Sequence, residues 1–122
     1  MEPSGHDDPN RDILHRLRDE LTGQRDALDR PIELVFVPSP GRVEGEDGCV
    51  MPASHLNFYI GNRTVVVPTY RTPYDDAAAR AVERLFPGRR VEAVDALAIL
   101  EGGGAFHCIT QQQPSRRKPL AP

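Results

Sequence analysis

A cysteine placed just behind three successive glycines is the part of this chain best suited to chemistry. The segment from Gly102 to Pro114 reads Gly-Gly-Gly-Ala-Phe-His-Cys-Ile-Thr-Gln-Gln-Gln-Pro. Glycines have no side chain to pack and lose the most backbone entropy on ordering, so such a run indicates a backbone that turns sharply or approaches another group closely. We therefore predict that the segment presents the Cys108 thiol at the mouth of a loop, where a ligand can reach it.

The residues that follow the glycines predict a short last strand over residues 106–111. On a strand, Phe106, Cys108 and Thr110 would share one face, and His107 would lie on the other. We therefore assign His107 a structural hydrogen bond rather than acid–base catalysis. A free thiol, with a pKa near 8.5, is only a few per cent ionised at neutral pH, so Cys108 needs a cation, a helix N-terminus or the charge of its substrate to become a nucleophile.

The glycine–cysteine segment closely resembles the C-terminal active-site motif of the agmatine deiminase family. Members usually read Gly-Gly-Gly, two variable residues and then His-Cys-Ile-Thr-Gln-Gln. A second segment, residues 52–62, reads Pro-Ala-Ser-His-Leu-Asn-Phe-Tyr-Ile-Gly-Asn. It is similar to a family segment that normally reads Ala-Ser-Tyr, an aliphatic residue and Asn-Phe-Tyr-Ile. The departures are Ala105, Phe106 and, in place of the tyrosine, His55, and they bear on how well a substrate fits.

The resemblance implies a fold and a reaction. The fold would be α/β, a five-bladed α/β propeller known as the pentein fold, of which this chain would carry the last blade and the end of the blade before it. Cys108 would attack a guanidinium carbon, expel ammonia and leave a covalent thiouronium, from which water releases a ureido product. Gly103 and Gly104 would offer backbone groups to the substrate, and Asn57 a structural or auxiliary hydrogen bond. The substrate would be agmatine or a related guanidine, on the route to putrescine, with no metal and no cofactor.

Other groups that the reaction needs are not evident in this chain. Family members take the catalytic histidine and most guanidinium-binding carboxylates from earlier blades, including a Gly-His-x-Asp segment. Residues 5–8, Gly-His-Asp-Asp, match that pattern. The helix predicted after them resembles a later helix of the family, so we interpret the match as a coincidence and expect the catalytic histidine to lie elsewhere. Cys49 follows a polar turn and is interpreted as an incidental loop cysteine.

Composition excludes several classes of function. The 122 residues are 39% hydrophobic and 6% aromatic, with 12 prolines and 10 glycines, which is thin material for an independent core. A net charge of -3 is too small and too mixed for a nucleic-acid or anionic-membrane surface. The sequence contains no apolar run of the ~18 residues that a membrane helix needs, and its first residues do not resemble a signal peptide. We therefore expect a cytoplasmic protein.

The patterns along the chain divide it into five parts. These are an N-terminal tail (1–8), a helix and buried strand that complete one blade (9–38), a loop (39–54), a final ββαβ-type blade (55–113) and a disordered tail (114–122). The predicted elements are a helix capped by Asp8 and running to Leu28, a strand at 32–37, hairpin strands at 55–60 and 64–67, a helix at 72–86, a strand at 91–94 and a helical turn at 96–100.

Three functional hypotheses remain open at this point. The chain is the C-terminal part of a guanidine hydrolase, or a catalytically inactive remnant or interaction module, or the nucleophile-bearing subunit of a split deiminase. Its partners would be a small guanidinium substrate and either a polypeptide that carries the missing blades or a second copy of the chain. An exposed inner sheet edge favours such association.

Overall fold

The computed structural model describes residues 1–114 as an α/β chain built round one mixed sheet. The helices are α1 (Arg11–Leu21), α2 (Asp75–Leu85) and α3 (Leu97–Leu100), and the strands are β1 (Tyr59–Ile60), β2 (Thr64–Thr69) and β3 (Arg90–Asp95). Strand β2 is central, antiparallel to β1 and parallel to β3. Helix α2 therefore forms the crossover between the two parallel strands. Apart from Pro114, the predicted disordered tail lies outside the described residues.

The hairpin between β1 and β2 is confirmed, although its details differ from the prediction. The Gly61 N–H donates to the Thr64 carbonyl at 2.8 Å, but neither Gly61 nor Asn62 has a positive φ. Strand β2 also continues through Pro68 to Thr69. In the parallel ladder the backbone N–H of residue 68 would point away from β3, towards the side where β1 has already ended. Proline is tolerated there because no ladder hydrogen bond is lost.

Two apolar clusters support the fold. The first lies between the sheet and α2 and contains Val37, Val65, Val67, Ala78, Ala81 and Val82. Leu85, the last residue of α2, is 42% exposed and adds little to this cluster. The second lies round α3 and contains Val43, Ala53, Tyr70, Ala96, Leu100 and Ala105, with Phe106 packed against it. This second cluster anchors the base of the glycine–cysteine segment.

Helix α1 is shorter than its apolar spacing predicts. It ends at Leu21 rather than Leu28, because the next residues turn and Gly23 takes a φ of 83°. The helix begins at Arg11, and Asp8 precedes it, buried and accepting N–H groups of Ser4 and Asn10. Its apolar side is largely uncovered: Leu14 is buried, whereas Ile13, Leu17 and Leu21 are exposed, as is Leu28 beyond the end of the helix.

The predicted strand at residues 32–37 is wrong. The segment makes isolated bridges at its ends, Arg25 with Pro31 and Glu2 with Pro38, and no ladder among residues 1–114. A strand needs a neighbour, and β-propensity in the sequence supplies none. The predicted N-terminal tail, residues 1–8, is attached to this segment: the Glu2 N–H donates to the Val37 carbonyl, and the Glu2 carbonyl accepts the Ser39 N–H.

None of the helices in the described part of the chain is long and apolar enough to cross a membrane.

Candidate active site

The glycine run forms the turn that ends α3. The N–H groups of Gly102 and Gly103 donate to the carbonyls of Ile99 and Leu100 at 2.9 and 2.7 Å. Gly103 has a φ of 90°, a conformation that residues with side chains rarely adopt. The chain then turns back, and Ala105 enters the second apolar cluster fully buried. The predicted sharp turn is therefore confirmed.

Gly104 is required by a close approach rather than by its φ. A Cβ at position 104 would lie 2.9 Å from the Cβ of Cys108 and 3.1 Å from its Sγ. Real side chains do not come that close without something moving. The cysteine thus occupies the space that the missing side chain of Gly104 leaves free.

The predicted strand at residues 106–111 is also wrong, because the segment is a series of turns. The N–H of Ile109 donates to the Ala105 carbonyl, and the N–H of Thr110 donates to the His107 carbonyl, each at 3.3 Å. These N–H groups, which in a strand would donate to a neighbouring strand, thus donate to carbonyls within the turn. The expected alternation of faces fails with the strand, and the side chains of His107 and Cys108 line the same depression.

This depression is open, with a volume of about 300 Å³. It is lined by Ser54, Leu56, Asn57, His107 and Cys108. Cys108 is an exposed free thiol, so a small molecule can reach it. Among residues 1–114 the lining contains no carboxylate, which is the group that a guanidinium ion pairs with best.

Asn57 makes three hydrogen bonds to the cysteine turn. Its backbone carbonyl accepts the N–H of His107 at 3.2 Å, and its Oδ1 accepts the N–H of Cys108 at 3.3 Å. Its Nδ2 donates to Cys108 Sγ at 3.1 Å. The Asn57 donor, together with a backbone hydrogen bond from Ala105, lowers the pKa of the Cys108 thiol. The expected hydrogen bond of Asn57 is therefore present, although the side chain is half-buried rather than buried.

The turn that carries Asn57 is fastened to the core by His55. This histidine is fully buried; its Nδ1 hydrogen-bonds with the Pro38 carbonyl oxygen at 2.9 Å, and its Nε2 hydrogen-bonds with Asp75 Oδ1 at 2.8 Å. Asp75 also accepts the N–H groups of Tyr70 and Thr72 at 3.1 and 3.0 Å. We call these five residues the His55 hub.

The sequence predicted only half of the His55 hub. The Thr72 N–H donates to Asp75 Oδ2 at 3.0 Å, a capping-box contact between residues three apart at the start of the helix that the sequence predicts at 72–86. His55 was predicted as the first residue of a strand, but it lies in a turn before β1. No local pattern links two residues that are 20 positions apart in the chain, so the pair was missed.

The other candidate residues lie away from this depression. His6 of the Gly-His-Asp-Asp match is exposed and lines a different surface depression with Arg11 and His15. Cys49 is an exposed free thiol in a turn, where its N–H donates to Asp47. The described residues contain no group of three or more His, Cys, Asp or Glu placed to hold a metal ion.

Comparison with known proteins identifies the family. Residues 1–114 match the model of a family described as Porphyromonas-type peptidyl-arginine deiminase. The chain belongs to this family. Its relatives include a protein of Streptomyces coelicolor provisionally named agmatine deiminase, 46% identical over 94 residues, which are 77% of this chain and 28% of that protein. A protein of Mycoplasma capricolum with the same provisional name is 36% identical over 126 residues, 90% of this chain and 35% of the relative.

The structural comparison agrees with the family assignment. The agmatine deiminase of Enterococcus faecalis is similar with a TM-score of 0.83 and 27% identity, over 94% of this chain and 36% of that one. The α/β fold of residues 1–114 is thus that of part of a deiminase. The chain spans about a third of the length of the deiminases that it matches.

Proposed function

We propose that this chain supplies the nucleophile of an agmatine deiminase-type guanidine hydrolase, and that Cys108 is that nucleophile. One observation carries the proposal. Cys108 is an exposed thiol in an open depression, and hydrogen bonds from Asn57 and Ala105 lower its pKa. A lowered pKa raises the thiolate fraction at neutral pH, and the thiolate is the reactive form.

The reaction that fits such a site is the hydrolysis of a guanidinium group in two steps. Cys108 Sγ attacks the guanidinium carbon, a carbon–sulfur bond forms, and ammonia leaves after one nitrogen takes up a proton. The covalent thiouronium is then attacked by water, which releases the ureido product and returns the thiol. With agmatine the product is N-carbamoylputrescine, a step in putrescine biosynthesis. Covalent catalysis of this kind replaces one difficult displacement by two easier ones.

The chain provides one side of that site. Gly103 and Gly104 offer backbone groups to the substrate, and His107 serves as a structural group at the rim of the depression. The catalytic histidine and the carboxylates that bind the cation come from other blades of a five-bladed propeller, of which this chain forms the last blade and the end of the preceding one. The exposed apolar side of α1, where Ile13 and Leu17 face outward, offers a surface on which those blades would pack.

A chimera tests the proposal directly. The matching part of the Streptomyces coelicolor relative is replaced by this chain, after the relative itself has been shown to hydrolyse agmatine. We expect the chimera to release ammonia from agmatine and its Cys108→Ser variant to release none. We expect this chain alone to release no more ammonia than its own Cys108→Ser variant, because the described residues that line the depression include no carboxylate.

One further measurement makes the result decisive. Labelling with a haloacetamidine followed by mass mapping reports whether Cys108 is presented in the chimera, with Cys49 as the internal control. A chimera that labels at Cys108 but hydrolyses no agmatine would favour an inactive remnant. Preferential labelling of Cys49 would remove Cys108 as the nucleophile altogether.

A further inference from the structure

The contacts round Cys108 show a thiol whose activating donors belong to this chain. Sγ receives the Asn57 Nδ2 donor at 3.1 Å, and the backbone of Ala105 supplies the second hydrogen bond. Both donors are neutral dipoles. The sequence indicated a need for a cation, a helix N-terminus or the charged substrate. Among the described residues, neither a cationic side chain nor a helix N-terminus contacts Sγ.

Asn57 is held rigidly enough to aim its donor. Its N–H donates to the Ser54 carbonyl at 3.1 Å, and that carbonyl also accepts the Tyr70 hydroxyl at 3.0 Å. The turn that connects Ser54 to Asn57 includes His55, which is buried and bonded at both ring nitrogens. A donor fixed in this way costs little reorganisation when charge appears on the sulfur.

We propose that Asn57 is the positioning residue that holds Cys108 as a thiolate, with Oδ1 fixing the cysteine backbone and Nδ2 aimed at the sulfur. A hydrogen bond to the charged form favours that form, and a bond to an anion is about twice as strong as a neutral one. The inference rests on the proposed role of Cys108 as the nucleophile. It adds that this part of the activation needs neither the substrate nor the missing blades.

Among residues 1–114, two titratable side chains matter for Cys108. His107 lies beside it in the same turn, and Tyr70, which directly follows β2, has a pKa raised by burial first and to a lesser extent by the charges of Asp75 and Cys108. The turn at residues 54–57 presents only uncharged side chains to the depression, those of Ser54, Leu56 and Asn57. His107 is therefore the competing source of activation, and the test must separate it from Asn57.

The test is the pH dependence of alkylation by iodoacetamide, a neutral reagent that needs no guanidinium recognition. All variants carry Cys49→Ser, so that Cys108 is the only thiol that reacts. We expect the rate of the parent to rise with a midpoint below the value of about 8.5 for a free thiol. Asn57→Ala raises that midpoint, and each increase of the midpoint by one pH unit lowers the thiolate fraction at pH 7 about tenfold. His107→Ala leaves the midpoint where it is.

Two features of the measurement distinguish a direct effect of the Asn57 donor on the sulfur from a purely structural role of Asn57 in holding the loop. Asn57→Asp keeps the Oδ1 acceptor for the Cys108 N–H but replaces the Nδ2 donor by an acceptor, so it raises the midpoint while the loop stays closed. A purely structural role would change the rate plateau at high pH, through access to the thiol, and leave the midpoint unchanged. The ultraviolet absorbance of the thiolate gives the same midpoint without reagent.

The inference is overturned if Asn57→Ala and Asn57→Asp both retain the parental midpoint, or if His107→Ala alone removes the shift. Circular dichroism shows that each variant is folded, and Asn57→Ser replaces Asn57→Ala if the latter unfolds. The outcome is independent of turnover. A chimera that fails to hydrolyse agmatine while the midpoint shift persists contradicts the proposed function and leaves the role of Asn57 standing.

Discussion

His55 and Asn57 belong to one turn, two residues apart, and yet they lie in opposite surroundings. His55 is 0% exposed and both of its ring nitrogens bond to groups of this chain. Asn57 is half-buried and bonds a thiol that faces solvent. On one side of the turn the polar groups are therefore buried and fully hydrogen-bonded, and on the other side they face solvent.

The difference shows how the chain separates support from chemistry. Within residues 1–114, no buried polar side-chain atom lacks a hydrogen-bond partner, so the supporting side needs nothing from outside. At the depression, in contrast, the thiol has its donors but, among residues 1–114, no carboxylate in the lining. A self-sufficient support under an incomplete site is what a nucleophile-bearing part of a larger enzyme needs.

The largest expected effect comes from breaking the His55 hub. His55→Leu leaves the buried Pro38 carbonyl without its side-chain partner and removes one of the two partners of Asp75 Oδ1, which keeps the Thr72 hydroxyl at 3.0 Å. Losing the partner of a buried hydrogen-bonding group costs about 1–3 kcal/mol, and truncation of a fully buried side chain adds to that loss, out of the roughly 5–15 kcal/mol that stabilises a typical domain. Urea unfolding followed by circular dichroism should show a variant that is largely unfolded, or one with a midpoint far below that of the parent.

A double-mutant cycle shows whether the loss comes from the pair. Asp75→Asn alone and the double variant His55→Leu/Asp75→Asn complete the cycle. Because the two side chains bond each other, we expect the double variant to lose less stability than the sum of the single variants. Strictly additive losses would mean that the histidine acts only by filling space.

The next effect concerns Tyr70, which ties the His55 hub to Ser54 in the turn that carries Asn57. Its hydroxyl accepts the Ser54 N–H at 3.3 Å and donates to the Ser54 carbonyl at 3.0 Å. Tyr70→Phe removes both bonds and should cost about 1–2 kcal/mol near neutral pH. The difference in the free energy of unfolding between the parent and Tyr70→Phe should become smaller as the pH rises.

The pH dependence follows from the ionisation of the phenol. Burial raises the pKa of Tyr70 above its ordinary value of 10.0. The unfolded chain then loses this proton at a lower pH than the folded chain, so the stability from the neutral phenol is present below about pH 10 and is lost above it. Urea titrations between pH 8 and 11 should show a steeper loss for the parent than for Tyr70→Phe. Parallel curves would contradict the shift.

The sequence predicted the elements whose signals are local. Helix α2 starts near its Thr-Pro signal and buries Ala78, Ala81 and Val82 as its spacing predicts. Strand β3 and helix α3 lie within a residue or two of their predicted bounds. The hairpin at Gly61 was recognisable because a turn of glycine and asparagine joins two apolar runs. These elements need only their own residues or those of a close neighbour.

The predictions failed where the structure depends on distant groups. Residues 32–37 have the composition of a strand but no partner strand among residues 1–114, so Ile32 and Val35 stay half exposed. Residues 106–111 also have a strand-like pattern, but hydrogen bonds from Asn57, 51 positions earlier, hold them in a turn. Cys108 and the glycines were found from their unusual order, whereas the role of Asn57 as donor depends on a distance that no sequence pattern gives.

The smallest expected effect on stability comes from a pair of matched glycine variants in the turn itself. Gly103→Ala introduces a Cβ at a φ of 90°, but nothing lies within 4 Å of it. Gly104→Ala has no such φ, but its Cβ would collide with Cys108 at 2.9 Å. Backbone strain in Gly103→Ala and displacement of Cys108 in Gly104→Ala should each lower the free energy of unfolding by about 1 kcal/mol.

The two glycine variants should differ in the reactivity of the thiol, although their stabilities are similar. Gly104→Ala pushes the sulfur away from the Asn57 donor, so its alkylation midpoint should rise towards that of a free thiol. Gly103→Ala should retain the parental midpoint because its Cβ does not touch Cys108. Equal midpoints in both variants would mean that the loop can shift without losing the Asn57 contact. A midpoint that moves only in Gly104→Ala would show that the empty space at this glycine holds the sulfur in place.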